Sequence, residues 1–143
     1  MARLKTKYQV ADVVPHSGGM ILIDEIVDYN DDSLVASVTI TDSSLFGDGS
    51  KGVPVWVGIE YMAQAVAAWA GIRGKCSDEP VKIGLLLGTR RYVANKSYFS
   101  IGCRLLITVQ EVYREKELGV FDCKIEDDQI IAEAALNVYQ PNN

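Results

Sequence analysis

In the apolar run Gly52 to Ile72, GVPVWVGIEYMAQAVAAWAGI, the side chains with strong polar chemistry are Glu60 and Gln64. Four positions apart, they share one face if the run is helical. A carboxyl group in apolar surroundings must raise its pKa, collect hydrogen bonds or find a cation, and such an acid is suited to holding a proton for delivery to a substrate. The alternative is that Glu60 faces water at a gap in the structure or caps a neighbouring strand. Gln64, one turn on, is expected to satisfy that carboxyl or a backbone group. The chain has a single histidine, His16, set between Pro15 and Ser17-Gly18-Gly19. An imidazole is the usual general base near neutral pH, and the glycines allow close backbone approach, although a histidine bonded within a turn has the same appearance. The three cysteines, Cys76, Cys103 and Cys123, follow no metal-ligand spacing, and one histidine does not complete a zinc site with them. No metal is expected, and a reduced, cytoplasmic setting is the simplest reading.

The elements that would position these groups follow from pattern. ILIDEIVDY (Ile21 to Tyr29) and LVASVTI (Leu34 to Ile40), separated by the turn signal NDDS, predict a hairpin. SSLFGDGSKG predicts a loop, and Pro54 suits the first turn of a helix running to Arg73, apolar on nearly all sides and so expected to be buried all round. Gly74 is expected to cap it. Strands are predicted at Lys82 to Tyr92, Arg104 to Tyr113, Leu118 to Ile125 and Gln129 to Tyr139, the last three as a meander through the turns REKE and EDDQ. VANKSYFSIG is expected to be an extended connector. An antiparallel sheet of about six strands wrapped around one long buried helix satisfies this order: an α+β fold of the hot-dog kind. At 143 residues the chain fits a single domain spanning 1–143.

The net charge of −5 argues against a nucleic-acid partner. Charge is uneven, however: Arg73, Lys75, Lys82, Arg90, Arg91 and Lys96 cluster in the middle of the sequence, while acids dominate from Glu111 onward. A local basic patch would suit an acidic partner. The basic start MARLKTKYQV is not followed by a signal-peptide core, and Pro54, Glu60 and Gln64 within the apolar run argue for a core helix rather than a membrane span.

Three stretches carry a family resemblance. Pro15-His16-Ser17-Gly18-Gly19-Met20-Ile21-Leu22-Ile23-Asp24 resembles the Pro-His-Arg-x-Pro-Met-Leu-Leu-x-Asp entry to the first strand of 3-hydroxyacyl-[acyl-carrier-protein] dehydratases. PVWVGIEYMAQ, Pro54 to Gln64, is similar to their Pro-Gly-Val-Leu-x-x-Glu-x-x-Ala-Gln, with proline, glutamate, alanine and glutamine in register. Arg90-Arg91-Tyr92 through Ser100-Ile101-Gly102 resembles, more loosely, their Arg-Phe-x-x-Pro-Val-x-Pro-Gly-Asp. Within that family the chain looks most like the dehydratase-like hot-dog proteins of aryl polyene and related type II polyketide pathways. One departure stands out: the family's catalytic histidine, in a His-Phe-Pro-Gly motif fourteen residues before its catalytic glutamate, falls here on Phe46, within Leu45-Phe46-Gly47-Asp48, and the motif is absent.

The resemblance implies elimination of water from a 3-hydroxyacyl thioester, with Glu60 as the acid. Because the loop histidine is missing, His16 is expected to act as the base. It nominates the Val55 backbone amide as donor to the thioester oxygen, and Met20, Trp56, Tyr61 and Met62 as lining for the acyl chain. Arg90, Arg91 and Lys96 are expected to meet an acyl carrier protein, whose phosphopantetheine brings the substrate, so no separate cofactor is implied. A homodimer is expected, with a heterodimer of two related hot-dog subunits also open. A thioesterase of the same fold, or a non-catalytic subunit supporting an active partner, are the competing functions.

Overall fold

The computed structural model describes residues 8–14, 21–44, 46–47, 51–76 and 85–139. A short helix α1 (Val10–Val13) precedes the hairpin β1 (Glu25–Tyr29) and β2 (Ser33–Thr39). The two-residue strand β3 (Val53–Pro54) leads through a 3₁₀ turn (Val55–Val57) into α2 (Gly58–Cys76). Then come β4 (Leu85–Ala94), two-residue β5 (Tyr98–Phe99), β6 (Arg104–Glu115), β7 (Leu118–Glu126) and β8 (Ile130–Tyr139). The main sheet has six antiparallel strands in the order β1-β2-β6-β7-β8-β4, and β3 pairs with β5 separately. One long helix lies on that sheet, which is the hot-dog arrangement.

Local chemistry fixes the turns. The Asn30 side-chain oxygen accepts the backbone N–H groups of Asp32 (3.0 Å) and Ser33 (2.9 Å), closing the β1–β2 hairpin. Asp127 does the same for Asp128 and Gln129 between β7 and β8, and these bonds, burial opposing them, hold its carboxyl below the usual carboxylate range. Lys116, left-handed at φ 55°, turns β6 into β7. Period-two alternation then sends one side of each strand inward. Ala36, Ile107, Ile125 and Ala132 form one row across four strands, and Leu34, Val109, Cys123 and Ala134 form the next.

Helix α2 presses Tyr61, Met62, Ala65, Val66, Ala68, Trp69 and Ile72 into this core. Trp69 meets Phe121 edge-on at 5.3 Å, and Tyr61 meets Phe99 at 5.8 Å. The segment Val55–Arg73 is long and apolar enough to cross a membrane by composition, but 67% of it is buried within the protein, as a core helix must be. Near the other end Gly71 lets α1 approach so closely that a Cβ there would overlap the Val13 carbonyl.

Three expectations need correction. Pro54 lies in β3 and precedes the 3₁₀ turn instead of opening the helix, because β3 must stay extended to pair with β5. Helix α2 runs through Gly74 to Cys76. It is also not covered on every side: Trp56 and Glu60 are exposed, and Ile59, Ala63 and Ala67 are half-buried. At spacings of three and four these residues form one stripe that the chain's own sheet does not reach.

Candidate active site

The start of α2 is held from below by backbone pairing. The Val55 N–H donates to the Ser97 carbonyl at 2.9 Å, and β3 pairs Val53 with Phe99 and Pro54 with Tyr98. From β4, the Tyr92 hydroxyl donates to the Val55 carbonyl, which also receives the Gly58 N–H. Burial pushes the Tyr92 phenol up to about 12. Tyr61 is pushed to about 12 as well, by burial first and then by the Asp24 carboxylate and Tyr92.

Glu60 projects from the first turn of α2 on the uncovered stripe, exposed in this chain. Of the two surroundings expected for Glu60, this chain gives the one in which the carboxyl faces water at a gap in the structure. The apolar sequence around it buries the other faces of the helix, while position 60 falls on the face without a neighbour. Gln64, on the same face one turn later but 2% exposed, accepts the Leu22 N–H at 2.8 Å. Of its two expected partners, the structure supplies backbone. That bond ties α2 to the segment entering β1.

The Val55 amide, expected to face the thioester oxygen, is already committed to Ser97. The cause is the β3–β5 pairing, which the sequence did not suggest. Trp56, expected to line an acyl slot, is instead 57% exposed and packs against Phe46 with ring centroids 5.8 Å apart. Phe46, itself 46% exposed, has a left-handed backbone (φ 68°). Met62 is wholly buried in the core. Tyr61 does line a cleft of about 260 Å³, together with Ile21, Leu22, Asp24, Thr39 and Ser44. His16 and Met20 lie outside the described residues.

Arg90 and Arg91 are exposed on β4 and border an open groove of about 510 Å³ on the outer side of the sheet. Asp122, Lys124 and Glu133 share that groove, so the cations stand among acids. Lys96 is paired with Asp127 at 3.7 Å. Neither that groove nor that ion pair includes Glu60. Among the described residues no group of three or more His, Cys, Asp or Glu side chains could hold a metal ion.

Tyr92 was overlooked as a contact of the helix start. The signal was the hydroxyl itself, at a position where the resembling family carries phenylalanine after arginine. Ser97 contributes only backbone, and no residue-type signal marks it.

Comparison with known proteins places this geometry. A 3-hydroxyacyl-[acyl-carrier-protein] dehydratase FabZ from Streptococcus equi subsp. zooepidemicus is 27% identical over 125 residues, covering 87% of this chain and 89% of that protein. The solved dehydratase heterocomplex ApeI:P from Xenorhabdus doucetiae contains a chain that superposes with a TM-score of 0.87 at 28% identity, covering 96% of this chain and 94% of that one. A hypothetical thioesterase with coenzyme A from Streptococcus pneumoniae TIGR4 superposes at 0.66 with 16% identity over 83% of this chain and 86% of that one, a likeness of fold alone. The family model for ApeP-like proteins, described as ApeP dehydratase, matches residues 8–143, and the chain belongs to that family.

Proposed function

We propose that this protein is a dehydratase that removes water from 3-hydroxyacyl thioesters carried on an acyl carrier protein, giving trans-2-enoyl thioesters, with Glu60 as its acid. The observation that carries this reading is the carboxyl of Glu60, projecting from the first turn of α2 in a member of a dehydratase family. Elimination needs one group to take the proton beside the carbonyl and another to protonate the departing hydroxyl. The α-carbon's electron pair then becomes the double bond, and the hydroxyl leaves as water. Glu60 supplies the second proton.

For the base, His16 is the imidazole the sequence offers. A second reading has specific support: Phe46 stands where the family has its loop histidine, and Glu60 lies on a stripe that its own sheet leaves open. A second hot-dog subunit laid over that stripe would enclose the carboxyl and bring an imidazole of its own. The ApeI:P dehydratase heterocomplex, whose matched chain has the same fold, is the precedent for such pairing. Enclosure would also take the carboxyl, exposed in this chain, out of water.

The acidic carrier is assigned to Arg90 and Arg91, which are exposed side by side, in preference to Lys96, which Asp127 engages. The phosphopantetheine thioester arrives with the carrier, so the reaction calls for no further cofactor.

Incubation with a trans-2-enoyl thioester, alone and with a related hot-dog subunit, separates the functions. Reversible hydration to the 3-hydroxyacyl thioester supports the dehydratase, and release of free thiol supports a thioesterase. Turnover only in the mixture, unchanged when Glu60 of this chain is replaced by Gln, supports a non-catalytic subunit beside an active partner. In the active mixture, loss of turnover in His16→Ala assigns the base to this chain, whereas retained turnover assigns it to the partner.

A further inference from the structure

We infer that the Tyr92 hydroxyl is a positioning group for this site, fixing the Val55–Trp56 peptide so that the Trp56 N–H, and not that of Val55, meets the thioester oxygen. The inference rests on the dehydratase reading and names a further part of the same site.

Negative charge builds on the thioester oxygen as the α-proton leaves, and a prearranged N–H is the usual answer to it. The Val55 N–H is spent on Ser97. On the carbonyl side of the same residue, Tyr92 and the Gly58 N–H converge on one oxygen. A trans peptide directs its C=O and N–H oppositely, so anchoring the Val55 carbonyl turns the Trp56 N–H out of the helix start. The 3₁₀ turn offers that N–H no acceptor of its own, and the positive end of the α2 dipole lies there. Side chains on a helix lean toward its N-terminus, so the Glu60 carboxyl, four residues on, leans toward the same end. The amide and the acid thus serve one substrate from one face.

Gly58 is the matching piece. A Cβ at this position would overlap the Tyr92 hydroxyl and lie 2.9 Å from Ile125 Cδ1 and 3.1 Å from Phe99 Cζ. Only glycine lets the hydroxyl reach the backbone beneath the turn. Burial keeps the phenol protonated, and so a donor, throughout the neutral range.

The test uses the catalytically active assembly, with its partner subunit if one is required. Tyr92→Phe keeps the ring and removes the donor. It should lower kcat for enoyl-thioester hydration about 10-fold, less than the 10²–10³ of deleting an oxyanion donor outright, with KM within about twofold. The infrared carbonyl stretch of bound trans-2-butenoyl pantetheine should move back toward its free value. A Tyr92→Phe enzyme with unchanged kcat and unchanged carbonyl stretch overturns the proposal. A measurement on the wild type guards against misfolding of the variant: on ¹⁵N labelling, the Trp56 amide should shift when trans-2-butenoyl pantetheine binds. A shift at Val55, or none at Trp56 with ligand bound, overturns it equally. Failure of the dehydratase reading shows differently, as wild type that binds the thioester without hydrating it, and the Trp56 amide still decides this proposal.

Discussion

Gln64→Leu tests how the helix that carries Glu60 is tied to the first strand. The wild-type side chain is 2% exposed and its oxygen accepts the Leu22 N–H at 2.8 Å. Leucine has a similar volume, so little cavity is created, but the Leu22 N–H loses its acceptor in a partly buried place. Stranding a buried donor costs about 1–3 kcal/mol, and the middle of that range, about 2 kcal/mol, is the expected loss. With an unfolding entropy near 2.1 cal/mol/K per residue, a chain of this length should melt about 7 °C lower. Differential scanning calorimetry reads the shift directly. Hydrogen exchange at the Leu22 amide should accelerate in parallel, by up to about 30-fold if it opens with the whole fold. A melting temperature within about 1 °C of wild type, with Leu22 exchange unchanged, would refute the tether.

Two further perturbations address other parts of the structure. Gly71→Ala places a methyl group against the Val13 carbonyl, and the resulting overpacking should cost about 1–3 kcal/mol as α1 is pushed off α2, seen as a lower urea midpoint at an unchanged slope. Tyr61 and Tyr92 are both pushed to about 12 from 10.0 by burial, so the unfolded chain gives up these protons first. Stability from this source is complete below pH 10 and is lost as pH rises from about 10 toward 12. Spectrophotometric titration at 295 nm should show at least two of the seven tyrosines ionising late or only on unfolding, and uniform ionisation near 10 would contradict it.

The sheet was legible because its signals are local. Strand alternation placed β2, β6, β7 and β8 within a few residues, and NDDS and EDDQ act through the side chains of Asn30 and Asp127 that their composition advertises. The site was legible only in part. The apolar run identified α2, but the stripe through Glu60 depends on which face the sheet covers, a tertiary fact that the weakly one-sided sequence of the helix does not encode. The engagement of Val55 was hidden for a related reason: pairing between residues 53–54 and 98–99 spans more than forty positions and involves two residues per strand, too few for a periodic signal. Gln64 was readable because a glutamine in an apolar run must find a partner, and the backbone of Leu22 is that partner.

The central claim is that Glu60 delivers a proton in thioester dehydration. Because Glu60 is exposed in this chain, Glu60→Gln should shift stability by no more than about 0.5 kcal/mol, which separates chemistry from folding. The decisive measurement is the rate of enoyl-thioester hydration by this variant in the active assembly. The rate should fall about 10²–10⁴-fold while the melting temperature of the chain by itself stays unchanged; a rate within twofold of wild type would contradict proton delivery by Glu60.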